Sequence, residues 1–359
     1  MNRQNENVWQ TLQHAGVVVG EQPELDTLDS PWYIKSLLAI SGWLASLFLL
    51  GFLGVGFEML FRNATSSFIV GSMLIAGAFV LLKRPKNEFY EHVALAVSLA
   101  GQVLIAWTIF DNSNEESAWF LACVFQFILT LVMPNFIHRV FSSFFTAVCL
   151  EIALVFAGIP YLASSIIMFV AAYIWLHEFK YPKHMLALRA IGYGAILALI
   201  YMYVSAMFFY NHAFWYENRV VMNTWFPFWL GDAIAGTIVL YVAWSIIKRH
   251  GHTLFDPVTI AALLGTLVLT MLSLQAQGIM LGILILILGF SVSNRVLIGL
   301  GIASLLFYTS AYYYLLDSTL LEKSKTLLII GLALFATHWL ILRFLPTDKV
   351  DANKEVLHG

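Results

Sequence analysis

Charge is scarce in this chain. Acidic and basic residues make up only 11% of its 359 residues, where a soluble domain carries about a quarter, so a water-soluble globule of this size is excluded. The net charge of −2 leaves no basic face for a nucleic-acid partner. Cysteine is nearly absent: Cys123 and Cys149 are the two, and both fall inside apolar runs, where they read as small core hydrophobes rather than a disulfide. A phosphate loop, a dinucleotide fingerprint, a nucleophile elbow and an HExxH pair are all missing, as are fixed-period repeats and low-complexity tracts. The first thirty residues lack a basic stretch, apolar core and small-residue cleavage site in that order, so the first span is expected to act as its own signal. Loops between apolar runs hardly exceed about twenty residues, which leaves no room for an extramembrane domain of ordinary size.

Apolar residues fill the space instead. The chain is 60% hydrophobic with a mean hydropathy of +0.81, and a helical span needs roughly 20 mainly apolar residues to cross a hydrocarbon core about 30 Å thick. Runs that meet this need lie near 36–58, 67–82, 92–110, 118–133, 140–158, 160–177, 187–210, 228–247, 258–276, 278–293, 296–316 and 326–345. The fold expected is an all-α, polytopic helical membrane protein of about 12 transmembrane helices. Two pairs are barely separated, at 158–160 and at 276–278; if these breaks lie inside re-entrant hairpins, the count falls to 10 or 11.

Residues 1–32 form a polar segment in which Val8, Trp9 and Leu12 line one helical face ahead of Gly16, followed by an acidic linker around Pro23. A single transmembrane domain then spans 33–345, and 346–359 is a polar tail. Lys and Arg in short loops favour the cytoplasm. With both termini inside, the cytoplasmic loops and ends collect fifteen of the nineteen basic residues, leaving Arg62, Arg219, Lys323 and Lys325 outside. The segmentation and the charge bias therefore agree on an even number of spans with cytoplasmic termini.

An ionisable side chain in a span costs at least about 2.5–3.5 kcal/mol near the helix centre, so each needs a partner, a cavity or a function. Glu151, in AVCLEIALVF, lies well inside a span; Glu58 and Asp232 lie near outer span ends, and His338 lies within the last span. Glu151 reads either as a carboxylate that binds a proton or a substrate amine, or as a group that ties helices together. His338 reads first as hydrogen-bonded to a neighbouring helix. In the topology above, Glu58, Glu151, Asp232 and Asp317 all project from the outer half, which allows an acidic outward cavity. Gln102, Gln126, Gln275 and Gln277 are expected to hydrogen-bond between helices, and Gly278 with Gly282 forms a GxxxG packing motif. His250 and His252 have no Cys, Asp or Glu partner at ligand spacing and read as a solvated loop, as His177-Glu178 reads as interfacial. No cofactor or metal is expected.

The stretch Tyr312–Gly331, YYYLLDSTLLEKSKTLLIIG, crowds Asp317, Glu322, Lys323, Ser324 and Lys325 into one corner between two spans. Neutralisation of the lysines by the acids and capping of the last span by Ser324 is one account of it. The other is that lysines kept outside against the charge bias, with Asp317 and Ser324, hold an anion or the acidic segment of a partner.

Two stretches carry a resemblance: Pro31-Trp32-Tyr33 leading into Trp43-Leu44-Ala45, and Tyr312-Tyr313, Thr319-Leu320-Leu321 and Lys323-Ser324 before the last span. They resemble the bacterial membrane proteins grouped as domain of unknown function 4401. The resemblance implies a bacterial inner-membrane protein whose gene often neighbours one for a membrane-anchored GDYxxLxY-motif protein. It implies no established activity and no catalytic residues.

Three function classes follow. Transport or substrate handling through a buried carboxylate fits the many spans, short loops and Glu151. A structural or assembly partner of another envelope membrane protein is the alternative, with the charged corner as its docking surface. An intramembrane enzyme acting on lipid-linked substrates, with Glu151, Asp232 or Asp317 as acid or base, is the weakest, because nothing places a nucleophile or metal beside these carboxylates.

Overall fold

A computed structural model describes residues 63–83, 88–159, 162–209, 229–253, 255–273, 278–315 and 319–344, with a few positions nearer the N-terminus. Among them are eleven α-helices and no strand. They are α1 (Ala64–Leu82), α2 (Glu88–Asn112), α3 (Glu115–Val132), α4 (Phe136–Phe156), α5 (Leu162–His177), α6 (Met185–Phe209), α7 (Trp229–Arg249), α8 (Pro257–Ser273), α9 (Ile279–Ser291), α10 (Arg295–Leu315) and α11 (Leu320–Phe344). Two single turns of 3₁₀-helix, Glu178–Lys180 and Pro182–His184, join α5 to α6. Of the first expected run, Leu44, Phe48, Gly51 and Phe52 are helical and exposed. Near the N-terminus, Gly16 takes a positive φ of 70° and its amide donates to the Gln13 carbonyl, a turn after a helical residue.

Eight described helices are long and apolar enough to cross a membrane: α1 to α6, α10 and α11, some over part of their length or with an added 3₁₀ turn. With their exposed apolar faces, as at Phe68, Met73, Phe120, Leu306 and Phe335, they make this a multi-pass helical membrane protein. Backbone polar groups have no water to turn to in hydrocarbon, so intra-helix pairing is the form such a chain must take.

Polar caps set the helix starts. Asn63, Asn114 and Asn135 occupy the N-cap positions of α1, α3 and α4, and their side chains accept from Thr65, Ser117 and His138 amides. Glycines set the close approaches. Gly71 on α1 and Gly101 on α2 face each other so closely that a Cβ on Gly71 would stand 2.8 Å from the Gly101 carbonyl oxygen. Gly278 has φ of +90° and lies against the Tyr308 ring, while Gly282 meets Leu305 and Gly301 meets the Leu286 backbone, so α9 and α10 form a tight hairpin. The GxxxG motif is thus a packing device.

The helix α9 has thirteen residues, about 20 Å at 1.5 Å per residue, short for a full span. Ile279, Leu281, Ile283, Leu284, Ile285 and Leu288 on it are all buried, so it serves as the core helix of the second half. Around it α5, α6, α7 and α10 close a common core with Trp175, Leu199, Val239 and Tyr308. The first half is built from α1 packed on α2, and α3 on α4, with α4 leaning on α6. At the far edge α11 lies mainly on α8, where Gly265 receives the Thr337 side chain.

Candidate functional site

The most polar interior lies where α2, α3 and α4 meet. His138, one turn into α4 and 1% exposed, is held on both ring nitrogens. Ser98 Oγ is 2.7 Å from Nε2, the Gln102 amide nitrogen is 3.2 Å from Nε2, and Ser142 Oγ is 3.1 Å from Nδ1. The Gln102 amide also donates to Ser98 Oγ at 3.2 Å. An amide nitrogen can only donate, so Nε2 accepts and the ring proton sits on Nδ1, facing Ser142. The chain continues as Gln126 donates to Gln102 Oε1 at 3.0 Å and the Thr130 hydroxyl donates to the Gln126 carbonyl at 2.9 Å. Thr146 donates to the Ser142 carbonyl at 2.7 Å, and the half-buried Cys123 thiol approaches the Thr146 carbonyl at 3.5 Å. Gln126 Oε1 is buried without a partner among the described residues. Interhelical bonding by Gln102 and Gln126 was legible in the sequence; His138 was not singled out, and its signal would have been a histidine three residues after a capping Asn.

Glu151 sits on the opposite face of α4. It shares that face with Phe144 and Ala147, which pack toward α6 and the core. The side chain is partly buried, and it makes no hydrogen bond or ion pair among the described residues, whereas Ser143, two turns earlier, donates to the Ile191 carbonyl of α6 at 3.4 Å.

A third polar cluster closes one end of the bundle. Glu178 is fully buried and takes a two-pronged ion pair from Arg189, with Nε–Oε2 at 3.0 Å and Nη2–Oε1 at 3.3 Å. Bidentate pairing of this kind fixes orientation as well as charge. Glu178, expected at the interface, is buried at the end of α5, where its carboxylate anchors the α5–α6 turn. Beside it the Arg249 guanidinium donates to the Leu176 carbonyl, and Tyr193 exchanges hydrogen bonds with Asn294. The loop before α8 is also revised. His252 does have an acidic neighbour, Asp256, at 3.4 Å. The Thr253 backbone amide (2.7 Å) and hydroxyl (2.9 Å) donate to the same carboxylate and, with His252, hold it below its usual range.

At the α10–α11 corner, Thr319 caps α11. Its hydroxyl accepts from the Glu322 amide and Glu322 Oε2 accepts from the Thr319 amide, both at 3.3 Å, the reciprocal pattern of a capping box. Ser324 is therefore not the cap: α11 starts six residues earlier than the apolar run at 326, because the first helical turns absorb the charges. Lys323 is 5% exposed and its ammonium donates to the Tyr313 carbonyl at 2.8 Å, where a cation meets the negative C-terminal end of α10. Of the two lysines expected to face outward, only Lys325 is exposed, as is Ser324.

The remaining expected residues do not converge. Asp232 is on α7, although its side chain lies outside the described residues, as do Glu58 and Asp317. His338 is on the exposed face of α11 and has no hydrogen-bond partner among the described residues. The helix α4 packs on α3 and α6, α7 on α5 and α8, and α11 on α8, so Glu151, Asp232 and His338 sit on helices that are not packed neighbours. Among the described residues no three His, Cys, Asp or Glu side chains gather as metal ligands.

No curated protein and no solved structure matches the chain. The family model for a domain of unknown function (DUF4401) matches residues 31–344, and over that much of its length the chain belongs to this family.

Proposed function

We propose that this is a transport protein of the bacterial inner membrane, with about twelve spans and both termini in the cytoplasm, in which Glu151 binds a proton or a small cationic solute. The observation that carries the reading is that Glu151 lies inside a span without a hydrogen bond or ion pair among the described residues. Three buried ionisable side chains among the described residues are tied: Glu178 by Arg189, His138 by Ser98, Gln102 and Ser142, and Lys323 by the Tyr313 carbonyl. Groups tied in this way serve architecture. A carboxyl that costs at least about 2.5–3.5 kcal/mol to hold charged in a span, and that ties nothing, is retained for what it binds. Assembly with a second envelope protein through the charged corner has less support, since Lys323 is buried against α10 and does not face a partner.

A hydrophobic carbodiimide, which reacts with carboxyl groups in apolar surroundings, tests the reading in native membranes. Modification is expected at Glu151, slowed by added methylammonium and absent in Glu151→Gln. An unreacted Glu151, or a rate indifferent to methylammonium, would remove the carboxyl from any solute path.

A further inference from the structure

The end of the bundle formed by the α5–α6 turn and the close of α7 carries a cationic patch that no part of the transport reading uses. Lys180, Lys183, Lys248 and Arg249 are all exposed there. The Arg249 bond to the Leu176 carbonyl fixes the close of α7 against the turn that holds Lys180 and Lys183. The two acids nearby are both engaged, Glu178 with Arg189 and Asp256 with Thr253 and His252. The lysines have no ion-pair partner among the described residues. Interleaved with them, Phe179 is 60% and Tyr181 43% exposed. In the sequence FKYPKH the rings and the ammonium groups therefore alternate along two 3₁₀ turns at a membrane boundary. Aromatic side chains settle at headgroup level, and lysines beside them reach phosphate oxygens.

We propose that this patch is a binding site for the phosphate of an anionic phospholipid headgroup, with Lys180, Lys183 and Lys248 as the charges, Arg249 as a pre-positioned donor, and Phe179 and Tyr181 seated among the acyl-chain necks. The buried Glu178–Arg189 pair gives the turn its shape, so the lysines are presented rather than swept through solvent. The site is separate from Glu151 and stands whether or not that carboxylate binds a solute.

Full-length protein in nanodiscs provides the test, with the melting midpoint followed against the fraction of phosphatidylglycerol in phosphatidylcholine. Phosphatidylglycerol should stabilise the wild type, and the effect should fade in high salt. The triple variant Lys180→Gln, Lys183→Gln, Lys248→Gln should need roughly tenfold or more phosphatidylglycerol for the same shift, and the matching Lys→Arg triple should keep it. If the Gln triple fails to insert, the salt dependence of the wild type and the Arg triple decide. Equal stabilisation by the two lipids, or a Gln triple that responds like the wild type, overturns the proposal. Full protection by inorganic phosphate in pure phosphatidylcholine also overturns it, in favour of a free anion.

Discussion

His138 sits within the membrane domain with both ring nitrogens engaged, and the groups that hold it come from two helices, α2 and α4. Removing the ring would leave Ser98 and Gln102 facing a void in a region where water cannot replace the lost partner. Each buried polar group left unsatisfied costs about 1–3 kcal/mol. His138→Ala is therefore expected to lower the thermal midpoint of the purified protein sharply and Ser98→Ala more modestly. His138→Gln, which still offers a donor and an acceptor, should recover part of the loss. Ile137→Ala, at a neighbouring exposed position, should change little. If His138→Ala melts with Ile137→Ala in a detergent thermal-shift series, the network does not hold the three helices. The sequence hides this residue because its partners lie 36 and 40 positions upstream, and only packing brings α2 across α4. Glu151 was legible for the opposite reason: a lone acid in an apolar run needs no partner to be noticed.

Helix ends show where hydropathy stops being informative. Each expected run from 67 onward corresponds to a described helix, since the apolar stretch is the physical cause of the span. The starts differ because a helix begins at its cap, and caps are polar. Asn63, Asn114, Asn135 and Thr319 all precede the first apolar residue of the expected run. The loop into α8 is held the same way, by Asp256 gathering the Thr253 amide and hydroxyl. A carboxylate whose pKa is lowered in the fold contributes stability that is present above its unfolded value, about 3.9, and lost as pH falls through its folded value. A nitroxide on Phe255→Cys, an exposed position beside it, should therefore stay ordered across about pH 5–8 and loosen only below about pH 4. In an Asp256→Asn background the same label should lose that acid transition, because the amide still accepts hydrogen bonds but does not titrate. An unchanged transition would assign the acid effect to another group.

At the scale of the whole molecule, the ends of the bundle differ in charge. Asn294, at the start of α10, bonds Tyr193 near the start of α6, so Arg295 lies at the same end as Lys180, Lys183, Lys248 and Arg249. The twenty-one residues of α10 carry the chain about 31 Å away to the corner where Lys323 and Lys325 stand. Of these two, Lys323 is buried on the Tyr313 carbonyl, so its position follows from capping α10 and says little about sidedness. That leaves Lys325 as the single exposed lysine of the corner, against five exposed basic residues at the other end. In the proposed topology the α5–α6 turn is cytoplasmic, the side that the charge bias expects for the more basic end. Single cysteines in a background with Cys123→Ala and Cys149→Ala would read it directly. Lys325→Cys should react with a membrane-impermeant maleimide in intact cells with the outer membrane opened, and Lys180→Cys and Lys248→Cys only after the inner membrane is broken. Labelling of Lys180→Cys and Lys325→Cys from the same face would break the odd number of crossings, α6 to α10, between them. The reverse labelling would place the cationic turn outside and leave the charge bias without force for this protein.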